Sequence, residues 1–259
     1  MPDYLDVLAR DAKETVATGY YQVQTQRVTA SVSLRKMISK SRQNAVITEV
    51  KAASPSRGAI KTGFNPAEVA RAMENGGATG ISVLTEPKHF SGSLSYLLKV
   101  REAVKLPILM KDIIINPIQL EAASKIGANA VLLIEALFER GYCELNLGEM
   151  ITQAHARNLE VLVESHSEFE YQNVIETDAD LVGINNRDLR TLEVDLQITE
   201  KILKKHESTS KVVVSESGVM TPRDLLFLRG CGAQAFLIGS AVMMAENIEQ
   251  KVKEFVTAH

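Results

Sequence analysis

The chain has 259 residues, 45% of them hydrophobic and 24% charged, an ordinary globular composition that excludes a disordered or fibrous protein. Its 29 basic and 32 acidic residues give a net charge of −3, which argues against a nucleic-acid or anionic-membrane surface. Cys143 and Cys231 form no CxxC pair, so they read as free thiols of a reducing compartment, not as a disulfide framework or zinc site.

The N-terminal stretch MPDYLDVLARDAKETV is broken by charges and has no apolar signal core. No apolar run elsewhere is long enough to span a bilayer, so a soluble cytoplasmic protein is expected. Leu5, Leu8 and Ala12 recur at helical spacing behind Asp3, a candidate N-cap, and SVSLRKMISK suggests a second helix. Both belong to a helical extension over residues 1–44 that is too polar to stand alone.

From Ala45 the pattern changes to short apolar runs alternating with amphipathic segments. The runs are AVITEV (45–50), GISVL (80–84), PILMK (107–111), AVLLI (130–134), EVLVE (160–164), LVGIN (181–185), KVVVSE (211–216) and AFLIG (235–239). Between them lie helix-like segments such as PAEVARAMENGG and TPRDLLFLRGCG, several opening on Pro, Ser, Thr or Asp and closing on Gly or Asn. Nearly continuous apolar strands alternating with helices imply a parallel sheet covered by helices. Eight such units over residues 45–259 fit a closed (β/α)8 TIM barrel. An open doubly wound sheet would have a glycine-rich loop after its first strand, whereas here KAASPSRG follows. One domain of α/β class over residues 1–259 is therefore expected.

Chemistry in this fold sits at the C-terminal ends of the strands. The polar residues closing the runs are Glu49 and Lys51 on the first, Lys111 on the third, Glu164 on the fifth, Asn185 on the sixth and Glu216 on the seventh. Glu49 and Lys51 are two residues apart and leave the same face. Three carboxylates, two lysines and an asparagine at one barrel mouth suit catalysis; a salt-bridge network capping the barrel is the competing reading. Ser217-Gly218 after the seventh run and Gly239-Ser240 after the eighth, the latter before a short helix AVMMA, have the position of a barrel phosphate cradle. The connection 52–65 carries Ser54, Ser56, Arg57 and Lys61 and reads as a lid or binding loop for an anion. Leu84, Phe90, Leu133, Ile134 and Leu189 fall at strand ends and could wall an aromatic pocket. The five histidines have no ligand spacing, and no metal is indicated.

These stretches resemble the indole-3-glycerol phosphate synthase family. The likeness rests on EVKAASPSRG (49–58), GGATGISVLTEPKHFSGS (76–93), LMKDIIINPIQL (109–120), LVESHSE (162–168), GINNRDLRTLEVD (183–195), VSESGV (214–219) and LIGSAVM (237–243). The family is similar in having an N-terminal extension over the barrel mouth. The resemblance implies a carboxy-lyase of tryptophan biosynthesis without metal or organic cofactor. Its substrate is the phosphorylated small molecule 1-(2-carboxyphenylamino)-1-deoxyribulose 5-phosphate, closed to indole-3-glycerol phosphate with loss of carbon dioxide and water. By the same analogy Lys111 is the acid and Glu164 the base. Lys51, held by Glu49, is either a second acid or the contact to the substrate carboxylate. Asn185 and Glu216 would orient. Arg187 and Ser54 would meet anions, and Ser217, Gly218, Gly239 and Ser240 the phosphate. No nucleic-acid or membrane partner is expected, and the state is a monomer or weak homo-oligomer. An isomerase or Schiff-base aldolase on the same scaffold, or a silent phosphometabolite binder, are the rival readings.

Overall fold

The computed structural model describes residues 3–24, 32–54, 58–60, 63–206 and 210–259. Ser56, Arg57 and Lys61 of the first long loop lie outside them, as does Pro55.

Eight parallel strands close on themselves: β1 (Ala45–Val50), β2 (Gly80–Leu84), β3 (Ile108–Lys111), β4 (Ala130–Ile134), β5 (Glu160–Ser165), β6 (Leu181–Asn185), β7 (Val212–Glu216) and β8 (Ala235–Ile238), with β8 pairing back to β1. Each coincides within a residue with an apolar run. The strands are buried on both faces because helices cover the outside and side chains fill the inside, which is why they read as continuous apolar runs.

Alternation along each strand sorts residues into two cores. Ile47, Leu109, Leu132, Leu162, Leu181, Val214 and Leu237 belong to the cluster inside the barrel. Their neighbours Val46, Met110, Val131, Leu133, Val161, Val163, Val182, Val213 and Phe236 belong to the shell between sheet and helices. Leu133 therefore faces outward, and it is Leu132 that reaches the interior: adjacent strand residues leave opposite faces.

The N-terminal extension is divided between the two ends of the barrel. Helix α1 (Tyr4–Ala17) starts with Asp3 and Asp6 in a reciprocal capping box and sends Leu5, Leu8, Ala9 and Ala12 into the interior cluster. Helix α2 (Leu34–Lys40) lies instead at the N-terminal end of the strands. Leu34 packs where a Cβ on Gly80, the first residue of β2, would sit, and Ser33 Oγ and the Arg35 N–H both donate to the Glu160 carboxylate at the start of β5. Of these two helices, α1 covers the mouth and α2 plugs the opposite end.

Candidate active site

Period-two alternation alone carries the polar residues to the mouth. Glu49, Lys111, Glu164 and Glu216 each stand two residues beyond an inward-facing apolar residue, Ile47, Leu109, Leu162 and Val214 respectively. Lys51 lies two further on from Glu49, and Asn185 four beyond Leu181. The register then sets them side by side: Ile134 is level with Glu164, Glu164 with Gly183, and Asn185 with Glu216. All six line one cavity, together with Phe90, Arg187, Leu189, Ser217, Gly218, Gly239 and Ser240. Ser54 belongs by its backbone to a small antiparallel pair, Ala53–Ser54 with Gly58–Ala59, and the Ala53 N–H donates to the Phe90 carbonyl at 3.3 Å.

The charges are ordered by their distances. Lys51 Nζ is 2.6 Å from Glu49 Oε1, a close pair with Glu49 only 3% exposed. Lys111 Nζ stands 3.5 Å from Glu164 Oε2 and 3.9 Å from Glu216 Oε2, between two carboxylates. Asn185 Nδ2 donates to Glu164 Oε1 at 2.8 Å. One oxygen of Glu164 is thus held, while Oε2 accepts no hydrogen bond among the described residues.

Burial works against the Lys111 ammonium, but the charges of Glu164, Glu216 and Glu49 outweigh it and hold its pKa above the ordinary lysine value. For Glu216, burial and then the negative charge of Glu164 raise the carboxyl well above its usual range, and Lys111 offsets this only in part. Neither oxygen of Glu216 accepts a hydrogen bond among the described residues.

Two glycines make room for these side chains. A Cβ on Gly183 would fall against Glu216 Oε1, and one on Gly239 would fall against Glu49 Oε1 and lie 2.9 Å from Lys51 Nζ. Across the mouth, Ser217 and Gly218 take left-handed backbone conformations with φ of 65° and 86°. For serine that conformation is strained and persists only where neighbours enforce it. The enforcing group is Asn186, fully buried, whose Nδ2 donates to the Glu216 and Ser217 carbonyls at 3.0 and 3.1 Å and to Ser215 Oγ at 3.0 Å. Its Oδ1 accepts from Thr199 Oγ1 at 2.8 Å. The short helix Ser240–Met243 begins on the other side of the same concavity.

Apolar walls face the charges: Leu84, Phe90, Ile134 and Leu189, as the sequence suggests, with Leu132 in place of Leu133. Tyr4 and Leu8 of α1 complete the enclosure. Sequence reasoning missed these two, although Leu8 had already been picked out for its helical spacing. It also missed Glu86, whose carboxylate accepts from the backbone N–H groups of Lys88, His89 and Phe90 at 2.9, 2.7 and 3.0 Å and so fixes Phe90. The signal available for Glu86 was its place two residues beyond Leu84, the end of the second run. His166 hydrogen-bonds through Nδ1 to the Asn185 carbonyl at 2.8 Å, behind the mouth. Because a carbonyl only accepts, Nδ1 carries the proton. Away from the mouth, Glu135, Glu139 and Glu170 bring carboxylate oxygens near one another. Both oxygens of Glu170 already accept, from the His166 N–H and the Ser167 hydroxyl.

Set beside known proteins, residues 5–255 match the family model described as indole-3-glycerol phosphate synthase. The chain is 44% identical over 228 residues to the indole-3-glycerol phosphate synthase of Methanocaldococcus jannaschii, covering 86% of this chain and 82% of that one. It is 46% identical over 208 residues to the enzyme of that name from Neisseria meningitidis, covering 80% and 78%. Among solved structures it resembles a thiamine phosphate pyrophosphorylase from Pyrococcus furiosus, at TM-score 0.62 and 18% identity over 86% of this chain and 96% of that one, a likeness of fold alone.

Proposed function

The chain belongs to the indole-3-glycerol phosphate synthase family, and from that premise we propose how its residues divide the work. The reaction is ring closure, decarboxylation and dehydration of 1-(2-carboxyphenylamino)-1-deoxyribulose 5-phosphate to indole-3-glycerol phosphate, a carboxy-lyase step of tryptophan biosynthesis.

In ring closure a carbon of the aromatic ring attacks the substrate carbonyl, and the carbonyl oxygen becomes an alkoxide that must be neutralised. Lys111 is the acid. Three carboxylates keep its ammonium charged, so it enters the reaction with its proton in place, and the developing alkoxide is a stronger base still. Loss of the carboxylate as carbon dioxide then restores the aromatic ring; this step needs orientation more than proton transfer. Dehydration removes one proton from carbon and one hydroxide. Glu164 is the base: Asn185 fixes one oxygen, and Oε2, 3.5 Å from Lys111 Nζ, accepts no hydrogen bond among the described residues. Lys51, gripped by Glu49, either assists departure of hydroxide or receives the substrate carboxylate, and its charge suits both.

Glu216 orients Lys111 and the substrate hydroxyls. Ser217, Gly218, Gly239 and Ser240 hold the phosphate, with Arg187 and Ser54 as further anion contacts. Phe90 and Leu189 wall the aromatic ring. Binding energy at the remote phosphate fixes the reacting atoms, so truncated substrates react slowly as well as bind weakly. The extension and barrel act as one domain, since α1 and α2 bury apolar residues in the barrel's own core. Operation in the cytoplasm, as a monomer or weak homo-oligomer, suits the free thiols of Cys143 and Cys231. Among the described residues no helix is long and apolar enough to cross a membrane.

The observation that carries the acid assignment is the placement of Lys111 Nζ between Glu164 and Glu216. The chain has no tryptophan, so indole fluorescence growing in an assay with EDTA reports product alone. Lys111→Ala is expected to lower turnover by about 10²–10⁴. A near-wild-type rate for that variant refutes the assignment, and borohydride trapping of a substrate adduct would refute the noncovalent route.

A further inference from the structure

The residue that follows Lys111 is a buried carboxylate to which the proposed reaction gives no role. Asp112 is 2% exposed and ion-pairs with no cation among the described residues; its carboxylate is satisfied by hydroxyls instead. Tyr21 Oη donates to Oδ1 at 2.8 Å, Thr85 Oγ1 to Oδ2 at 2.5 Å, and the Ile113 N–H to Oδ1 at 2.8 Å. Burial pushes the carboxyl up to about 6 against these three hydrogen bonds.

Thr85 links this network to the lysine itself. Its N–H donates to the Lys111 carbonyl at 3.0 Å, so the backbone that aims Nζ is held by the residue whose hydroxyl is held by Asp112. Tyr21 is 2% exposed and follows α1 in the N-terminal segment, 91 residues from Asp112 in sequence. The same segment is docked by Tyr20, whose Oη donates to the Thr85 carbonyl at 3.0 Å and accepts from the Leu94 N–H at 3.1 Å. From the other side Gln119 braces the loop after β3: its Nε2 donates to the Ile113 carbonyl and its Oε1 accepts from the Ile115 and Asn116 N–H groups.

We propose that Tyr21, Asp112 and Thr85 form a buried positioning network through which the N-terminal segment fixes the backbone of Lys111 for ring closure. The proposal rests on Lys111 being the acid. Tyr21 is a positioning residue that need not meet the substrate, and its effect falls on turnover rather than on binding. Asp112 is 2% exposed, so little solvent reaches it to replace a lost hydroxyl. Without the Tyr21 hydroxyl, Oδ1 keeps only the Ile113 N–H, and the contact that ties the N-terminal segment to the turn after Lys111 is gone.

The experiment compares Tyr21→Phe, Asp112→Asn, Asp112→Ala and Lys111→Ala in the full chain by steady-state indole fluorescence, with thermal unfolding alongside. Small displacements of a catalytic group cost rate steeply, so Tyr21→Phe should lower kcat about tenfold with KM within about twofold of wild type. Asp112→Asn keeps the geometry, accepting from Tyr21 through its carbonyl and donating to Thr85 through its amide. It should hold kcat within about threefold, whereas Asp112→Ala should lose at least as much as Tyr21→Phe. A kcat unchanged in Tyr21→Phe, whatever its thermal stability, overturns the coupling, as does an Asp112→Asn variant as slow as Asp112→Ala. Wild-type turnover in Lys111→Ala would instead strike the acid assignment, so the two failures are separable.

Discussion

Replacing Glu216 by glutamine should stabilise the fold and slow the enzyme. The carboxylate is 1% exposed, accepts no hydrogen bond among the described residues, and has its lysine partner 3.9 Å away. Burial first, and the neighbouring Glu164 second, hold its pKa well above the ordinary range. A carboxyl with a raised folded-state pKa binds its proton more tightly folded than unfolded. The associated stability is complete below the unfolded pKa, near 4.3, and is lost as pH rises from there toward the folded value. Glutamine has no charge to desolvate and escapes that loss. An unsatisfied buried group costs about 1–3 kcal/mol, and about 2–4 °C of melting temperature accompanies each kcal/mol in a chain of this size. The variant should therefore melt roughly 2–12 °C above wild type near pH 8 and close to it at about pH 4. Thermal unfolding by circular dichroism at both pH values reads the gain, and indole fluorescence reads the loss of turnover. A variant no more stable than wild type near pH 8 would refute the reasoning. A gain equal at both pH values would show that amide packing, not relief of charge, produces it.

Gly239→Ala should separate Lys51 from Glu49, because the new methyl occupies the space of that pair. A fall in kcat of about 10–100-fold with a native circular dichroism spectrum is expected. Ser217→Gly should relieve left-handed strain worth about 1 kcal/mol and raise the melting temperature by about 2–4 °C, while KM rises through loss of a phosphate hydroxyl. In Asn186→Ala the Glu216 carbonyl keeps the backbone N–H of residue 186 and the Thr199 and Ser215 hydroxyls keep each other, while the Ser217 carbonyl loses its amide donor, so urea unfolding should register a loss of about 1–3 kcal/mol, and KM should increase as the Ser217 turn relaxes. Unchanged substrate affinity in Asn186→Ala would mean that this turn does not hold the phosphate.

The strand-end set was legible because both steps needed to find it are local. Apolar runs mark the strands, and a residue two places beyond an inward apolar side chain must face the same interior, as Ile47 and Glu49 do. What failed was the face of an uninterrupted apolar run. In AVLLI nothing distinguishes Leu132 from Leu133 until the barrel fixes which is inside. Tyr4, Leu8, Asp112 and Asn186 escaped notice for a different reason: each owes its place to a partner far along the chain. Asp112 is explained only by Tyr21 and Thr85, and Asn186 only by Thr199 and the turn after β7. The two helices of the extension carry similar amphipathic signals, and neither sequence says which end of the barrel it covers.

That division of the extension bears on how a barrel tolerates so charged a mouth. The interior core runs from α2 through the strand residues to α1, so apolar burial continues at both ends while the layer between strands and α1 is given over to Glu49, Lys51, Lys111, Glu164 and Glu216. Those groups add little stability of their own, and Glu216 detracts from it. The outer shell between sheet and helices, with Met110, Val131, Leu133 and Val163 all fully buried, carries the fold independently of them. Helix α1 then has two tasks at once: it seals the apolar interior with Leu5 and encloses the charged cavity with Tyr4 and Leu8. Ion pairs from Arg140 to Asp3 and Asp6, at 2.8 and 2.7 Å, and a hydrogen bond between His89 Nε2 and Asp11, at 2.8 Å, tie it down over the mouth. Partly exposed contacts of this kind contribute about 0–1 kcal/mol each, so the buried apolar residues of α1 do most of the holding.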